Sequence, residues 1–358
     1  MKSLLALATL CALVFGTACT QNSQKLLTAG NKYHQDKKYK EASILYRKAI
    51  AKDKTNAEAY YREGLNLLDQ KSPFEASKFL RRAVDLKPAN TDAEMKLAEI
   101  YLFVYSSNTK KFKSLLPEVR ELTSKILQHE PNSFNGIRLQ ALIHLADGNF
   151  DKALASFAEA NRIRPYSREI VGWYAETLVA AKRPDEAEIL ALDMIAHDKT
   201  WGPGYDFLFV QYSQQNNPEK AEAVLRERVA NDPSNPGAIT NLADYLLATN
   251  RFSEADTLMR RVIVGKTFPA GREMLGDFFV RARKLDQAIE QYRAAAKEDS
   301  AHALHYDLRI VTTYAMMGRR DDAIRLAKTL AENNPKDHAT NQIYASLLLD
   351  TGIKSDAA

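Results

Sequence analysis

Cysteine is nearly absent from these 358 residues: Cys11 and Cys19 are the only two. If a leader ending at residue 18 is removed, one thiol remains. No internal disulfide can then staple the mature chain, so its stability must come from buried apolar surface. Long apolar runs are missing as well. A membrane span takes about 20 apolar residues, and the run from Leu4 to Phe15 stops after about a dozen. The sequence has no glycine-rich phosphate loop and no G-x-S-x-G elbow. His302 and His305 are spaced to share a helix face, but no third ligand follows at a metal-site interval, and His34, His129, His144, His197 and His338 are scattered. A net charge of +5 from 50 basic and 45 acidic residues is too small an excess to argue for nucleic acid. These absences leave a non-enzymatic protein that needs no cofactor or metal.

The N-terminus is informative. Lys2 supplies a short positive region, the apolar run follows, and Gly16, Thr17 and Ala18 lead to Cys19. That order reads as a secretory signal peptide over residues 1–18. The stretch Gly16-Thr17-Ala18-Cys19 resembles the lipobox of bacterial lipoproteins, although Gly16 stands where that family usually has Leu. The resemblance implies that Cys19 is acylated with fatty chains such as palmitate and becomes the new N-terminus. Thr20 in place of Asp then implies sorting to the periplasmic face of the outer membrane. The alternative is cleavage before Cys19 by ordinary signal peptidase, since Gly16 and Ala18 fit its small-residue rule; the chain would then be periplasmic or secreted with a free thiol. A lipid thioether removes that exposed thiol, which favours acylation.

Beyond residue 22 the chain repeats itself. "YHQDKKYKEASILYRKAI" at 33–50 has counterparts in "LADGNFDKALASFAEANRI" at 145–163 and "LATNRFSEADTLMRRVI" at 247–263. An alanine recurs at Ala42, Ala76, Ala153, Ala187, Ala221, Ala255, Ala288 and Ala323, at intervals of 34, 77, 34, 34, 34, 33 and 35. The 77 is two periods plus nine. Twelve residues before each such alanine stands Gly30, Gly64, Ala141, Ala175, Ala243 or Gly276, with Phe209 and Val311 as departures. Nine before it comes an aromatic residue or Leu, except at His144. Pro88, Pro165, Pro233 and Pro335 lie twelve after it, where a helix must end. This pattern resembles the tetratricopeptide repeat along nearly the whole mature chain.

The resemblance implies an all-α fold, a right-handed α-solenoid of about nine helix-turn-helix repeats with a terminal half repeat. On this reading residues 19–22 are a lipidated linker, 23–352 the solenoid and 353–358 a polar tail. Small residues allow close helix crossings, and one pair cannot bury its own apolar face, so neighbours must stack. The third repeat carries the nine extra residues within 103–122, and its Lys110, Lys111 and Lys113 form a basic cluster on a longer turn. "TWGPGYDF" at 200–207 reads as a turn with Trp201 packed into it.

In this family the concave face is lined mainly by the first helix of each repeat. Carrying its positions over places Asn31, His34, Tyr61, Asp69, Glu99, Arg138, Glu176, Asp206, Asp244, Glu273, Asp277 and Arg281 there. From the fifth repeat to the eighth the charges are mostly acidic, which implies a protein partner presenting a basic peptide segment, steered more than tightened by charge. Reversing Asp244, Glu273 and Asp277 is expected to leave stability unchanged. The carboxylate clamp of chaperone-binding relatives is rejected, because Leu27 stands where it needs Lys. Lysines dominate the first repeat and could face anionic headgroups beside a lipid anchor. The resulting expectation is a protein-protein interaction scaffold on a bacterial envelope, serving assembly or export of extracellular polymers. It resembles the repeat lipoproteins of exopolysaccharide export and of the PEP-CTERM exosortase system. The rival is a carbohydrate-binding or polysaccharide-modifying protein, disfavoured because Tyr61 and Phe103 are the only evident groove aromatics.

Overall fold

The computed structural model describes residues 22–264 and 268–350. Cys19, residues 1–18 expected as a leader and residues 353–358 expected as a tail lie outside the described residues. Within them the chain is helical: α1 (22–35), α2 (Tyr39–Lys52), α3 (Ala57–Asp69), α4 (Pro73–Leu86), α5 (Thr91–Ser107), α6 (Leu115–His129), α7 (Phe134–Ala146), α8 (Phe150–Ile163), α9 (Arg168–Ala180), α10 (Pro184–His197), α11 (Gly202–Gln214), α12 (Pro218–Asn231), α13 (Pro236–Ala248), α14 (Phe252–Met259), α15 (Gly271–Arg281), α16 (Leu285–Glu298), α17 (Ala303–Met316), α18 (Arg320–Asn333) and α19 (His338–Asp350). These are nine helix pairs and one lone helix among the described residues. The described residues divide into two compact units that part between Leu190 and Ala191. In the first, α2 to α9 pack chiefly against their sequence neighbours; in the second, α11 to α14 and α15 to α19 do the same. Contacts of this nearest-neighbour kind define a repeat array.

The turn inside eight of the nine pairs, all but α5–α6, follows from one backbone device. Lys37, Lys71, Gly148, Lys182, Asn216, Asn250, Arg283 and Gly318 all have φ between 55° and 73°. The residue after each donates its N–H to a carbonyl five residues back: Lys38 to Tyr33, Ser72 to Leu67, Asn149 to His144, Arg183 to Leu178, Asn217 to Tyr212, Arg251 to Leu246, Lys284 to Phe279 and Arg319 to Tyr314, at 2.7–2.9 Å. This is a Schellman ending, which satisfies carbonyls left over by the first helix. His144 departs from the aromatic side-chain pattern yet closes the same turn, because the bond uses its backbone. Asn56, Asn90, Asn149, Asn217 and Asn235 then cap the following helices with their side chains.

The recurring alanines are all buried, from Ala42 to Ala323. The small residue of the first helix faces the large residue four after the alanine. A Cβ on Gly30 would lie 2.7 Å from the Tyr46 ring, on Gly64 2.7 Å from Leu80, and on Gly276 2.5 Å from the Tyr292 ring. Glycine is required there by proximity, and the ring fills the space it leaves. In the third repeat Val119 holds the alanine position and is buried.

The nine extra residues of that repeat are shared out. Helix α5 has 17 residues against 13 in α3, its connection runs 108–114 against 70–72, and α6 has 15 against 14 in α4. Most of the extension therefore lengthens a helix wall and its turn, where Lys110, Lys111 and Lys113 are exposed. The seventh repeat is short instead: α14 has eight residues and passes into a 3-10 turn at Arg260–Ile263. Gly271 then opens α15 directly against the Val262 carbonyl, leaving no room for a side chain. Trp201 is buried against Gly204, as its sequence context predicts.

Candidate interaction groove

The side chains assigned to the concave face are mostly tied to one another. In the first unit, Asn31 accepts a hydrogen bond from the Tyr46 hydroxyl at 2.9 Å, and burial pushes that phenol up to about 12. His34 meets Asp69 at 2.7 Å. Tyr61 is half-buried beneath the Arg62 guanidinium, and burial raises its hydroxyl above the usual range. Arg138 is the most enclosed, with a side chain 10% exposed. It donates to Glu99 and, at 3.2 Å, to Glu169. Glu176 is exposed and has no ion-pair partner among the described residues.

In the second unit the expectation of a free acidic stripe is corrected. Asp206 pairs with Arg228 at 2.5 Å and Asp244 with Arg281 at 2.8 Å. Glu273 meets His305 at 2.7 Å and Arg309 at 3.1 Å. Asp277 is 3.3 Å from Arg309 and accepts the Tyr292 hydroxyl at 2.5 Å. Burial and that bond to Asp277 hold the Tyr292 proton well above the ordinary phenol range. The acids are real, but each has a cation within reach, so this surface alternates in sign.

Arg228 sits on a second helix and Arg309 off the concave positions, so a reading by position alone passes over both. A usable signal was present: charge partners on successive first helices lie about one repeat apart. His34–Asp69, Glu99–Arg138, Asp244–Arg281 and Glu273–Arg309 are separated by 35, 39, 37 and 36 residues.

A cavity of about 970 Å³ opens over α5, α7 and α9, three successive first helices of the first unit. Its lining includes Arg138, Glu99 and Phe103, all foreseen, and adds Tyr105, Leu142, Leu145, Arg164 and Trp173. The lengthened α5 supplies Phe103 and Tyr105. The expectation of a groove poor in aromatic residues is therefore corrected, since Trp173 and Tyr105 join Phe103 there. His302 pairs with Asp299 and His305 with Glu273, and no group of three metal-ligating side chains occurs among the described residues. No described helix is long and apolar enough to cross a membrane.

Tetratricopeptide-repeat family models match residues 57–90 and 144–203. Over those two stretches the sequence matches tetratricopeptide repeats. Among curated proteins, anaphase-promoting complex subunit 7 of Mus musculus is 24% identical over 182 residues, covering 50% of this chain and 32% of that protein. The Homo sapiens protein matches over the same lengths at 24%. The match thus spans about a third of these relatives, 32%. Among solved structures, MamA from Desulfovibrio magneticus RS-1 aligns with a TM-score of 0.44 at 14% identity, over 50% of this chain and 96% of that one. A thermophilic TPR protein of Thermus thermophilus aligns at 0.40 and 21%, over 54% and 97%. Tetratricopeptide-repeat proteins are typically protein-interaction scaffolds, and nothing in these likenesses points to catalysis.

Proposed function

We propose that this chain is a lipid-anchored scaffold on the periplasmic face of a bacterial outer membrane, holding protein partners during assembly or export of envelope or extracellular polymers. The observation that carries the scaffold reading is the cavity over α5, α7 and α9. It is broad, and three successive repeats build it from apolar side chains and from charged ones that are partly paired, Lys96 and Arg138 with Glu99 and Arg138 also with Glu169. Such a surface offers shape and orientation, with no nucleophile and base set against each other. The leader and Cys19 support the anchor. The eight lysines from Lys25 to Lys54 are exposed and none has an ion-pair partner among the described residues. Beside a lipid anchor each would contribute roughly 1 kcal/mol toward anionic headgroups.

Cys19→Ala tests the anchor: the variant moves to the soluble periplasmic fraction, while the native chain shows an acyl-bearing N-terminus by intact mass. Membrane retention of the variant, with no acyl mass on the native chain, refutes it. The scaffold is tested by reconstituting a stoichiometric complex from the purified chain and a captured partner. The carbohydrate reading gains one observation, the aromatic lining of Phe103, Tyr105 and Trp173. Specific binding on a glycan array, with no protein complex formed, would replace the scaffold by that reading.

A further inference from the structure

The groove over α5, α7 and α9 has more hydrogen-bond donors than the protein answers. Three cations line it, Lys96, Arg138 and Arg164, against two carboxylates, Glu99 and Glu169. Glu99 is shared between Lys96, at 2.9 Å, and Arg138; Glu169 goes to Arg138 alone. Arg164 receives no carboxylate. Its guanidinium lies 3.9 Å from the centre of the Phe134 ring, which holds it in place while its N–H groups find no acceptor among the described residues. Arg138 is nine-tenths buried, yet its Nε has no hydrogen-bond partner. Ser167, the residue before α9, also lines the cavity and does not cap that helix with its hydroxyl. Arg164 and Ser167, both lining the cavity just before α9, therefore bring donors to it that no protein group is shown to answer.

Next to them lies an apolar wall of Leu142, Leu145, Trp173 and Phe103. Phe103 is 69% exposed and continues this apolar wall into solvent, where a bound segment could cover it. It stands at the thirteenth position of α5, where α3 ends at Asp69, and the four residues by which α5 is longer add Tyr105 beyond it.

Resting on the scaffold reading, we propose that this groove takes an extended peptide segment in which an aspartate or glutamate stands beside an aromatic or aliphatic residue. The carboxylate supplies the acceptors that Arg164 lacks, and two parallel N–H···O bonds suit a guanidinium better than any neutral group does. The apolar neighbour covers Phe103 and Trp173. A lysine-rich segment would meet surplus positive charge here, so the basic partner expected from the acidic positions does not fit this groove. A glycan needs acceptors as well as donors from the protein, and both groove carboxylates are already held by Arg138 and Lys96.

The test uses the purified full chain on three hexapeptide arrays that place Asp or Glu, Asn or Gln, or Lys at every spacing from Leu, Phe or Trp, with a glycan array beside them. Binding is expected on the acidic array, at least about tenfold above the amide array, with the difference abolished by Arg164→Gln. Phe103→Ala, at an exposed site, is expected to weaken acidic and amide peptides alike. Equal binding to acidic and amide arrays, a preference for lysine, no peptide binding, or full acidic binding by Arg164→Gln each overturns the proposal. In those cases a reconstituted protein complex that Arg164→Gln leaves intact keeps the scaffold reading standing. Glycan binding that Phe103→Ala removes, without any protein complex, overturns both.

Discussion

Replacing Gly276 by Ala places one methyl group where the structure has no space for it. The new Cβ would stand 2.5 Å from Cε1 and 2.8 Å from Cδ1 of Tyr292. That ring is 1% exposed and its hydroxyl is held by Asp277, so it has little freedom to withdraw. Overpacking of this sort costs about 1 to 3 kcal/mol. The substitution also returns about 1 kcal/mol of helix propensity. Gly172, inside α9, isolates the two effects, because a Cβ there meets nothing within 4 Å. Gly172→Ala should gain about 1 kcal/mol, and the difference between the two identical substitutions should equal the overpacking cost. By repeat position Ala243 faces Met259, and both are buried, so Tyr292→Met in the Gly276→Ala background should recover about 1 kcal/mol relative to additivity. Urea midpoints read the global change, and amide exchange in α15 and α16 localises it, since stacked repeats open in parts. Gly276→Ala as stabilising as Gly172→Ala would refute the close crossing.

Lys182, at φ 61°, occupies the turn position that Gly148 fills elsewhere, so Lys182→Gly should stabilise by about 1 kcal/mol and Gly148→Lys should cost a similar amount in urea melts. Glu94 is fully buried with neither carboxylate oxygen bonded, and burial raises its proton affinity above the usual carboxylate range. The folded chain therefore binds that proton more tightly than the unfolded chain. Its contribution is complete below the ordinary carboxylate range and is lost as pH rises through the raised folded value. Glu94→Gln should flatten this fall in urea midpoints measured between pH 4 and 8. Charge reversal in the second unit should lower thermal stability, contrary to the expectation for free solvated acids. Glu273→Lys, facing His305 and Arg309, should cost at least about 1 kcal/mol, and the more exposed Asp244→Lys about 0.5 kcal/mol, read by calorimetry at two salt concentrations.

Fold class and register were decided by the sequence alone. The alanines from Ala42 to Ala323, the small residues twelve before them and the prolines twelve after them repeat a local structure that each segment specifies by itself. Short-range rules of helix crossing and termination need no distant partner to be read. The location of the third-repeat insertion followed from the interval of 77, and its division between α5, the connection and α6 did not, because helix length depends on what the added turn packs against. Individual groove positions were legible through the repeat register: Arg138, Glu99 and Phe103 do line one cavity. Their electrostatic state was decided only by the tertiary structure. Whether Asp244 or Glu273 is a free acid depends on Arg281 and Arg309, residues about one repeat away whose long side chains reach sideways between neighbouring helices. Trp173, Phe134 and Arg164 met the groove for the same reason. Stacking three repeats brings together residues from the start, the middle and the turn of different helices, and no periodicity within one helix encodes that meeting.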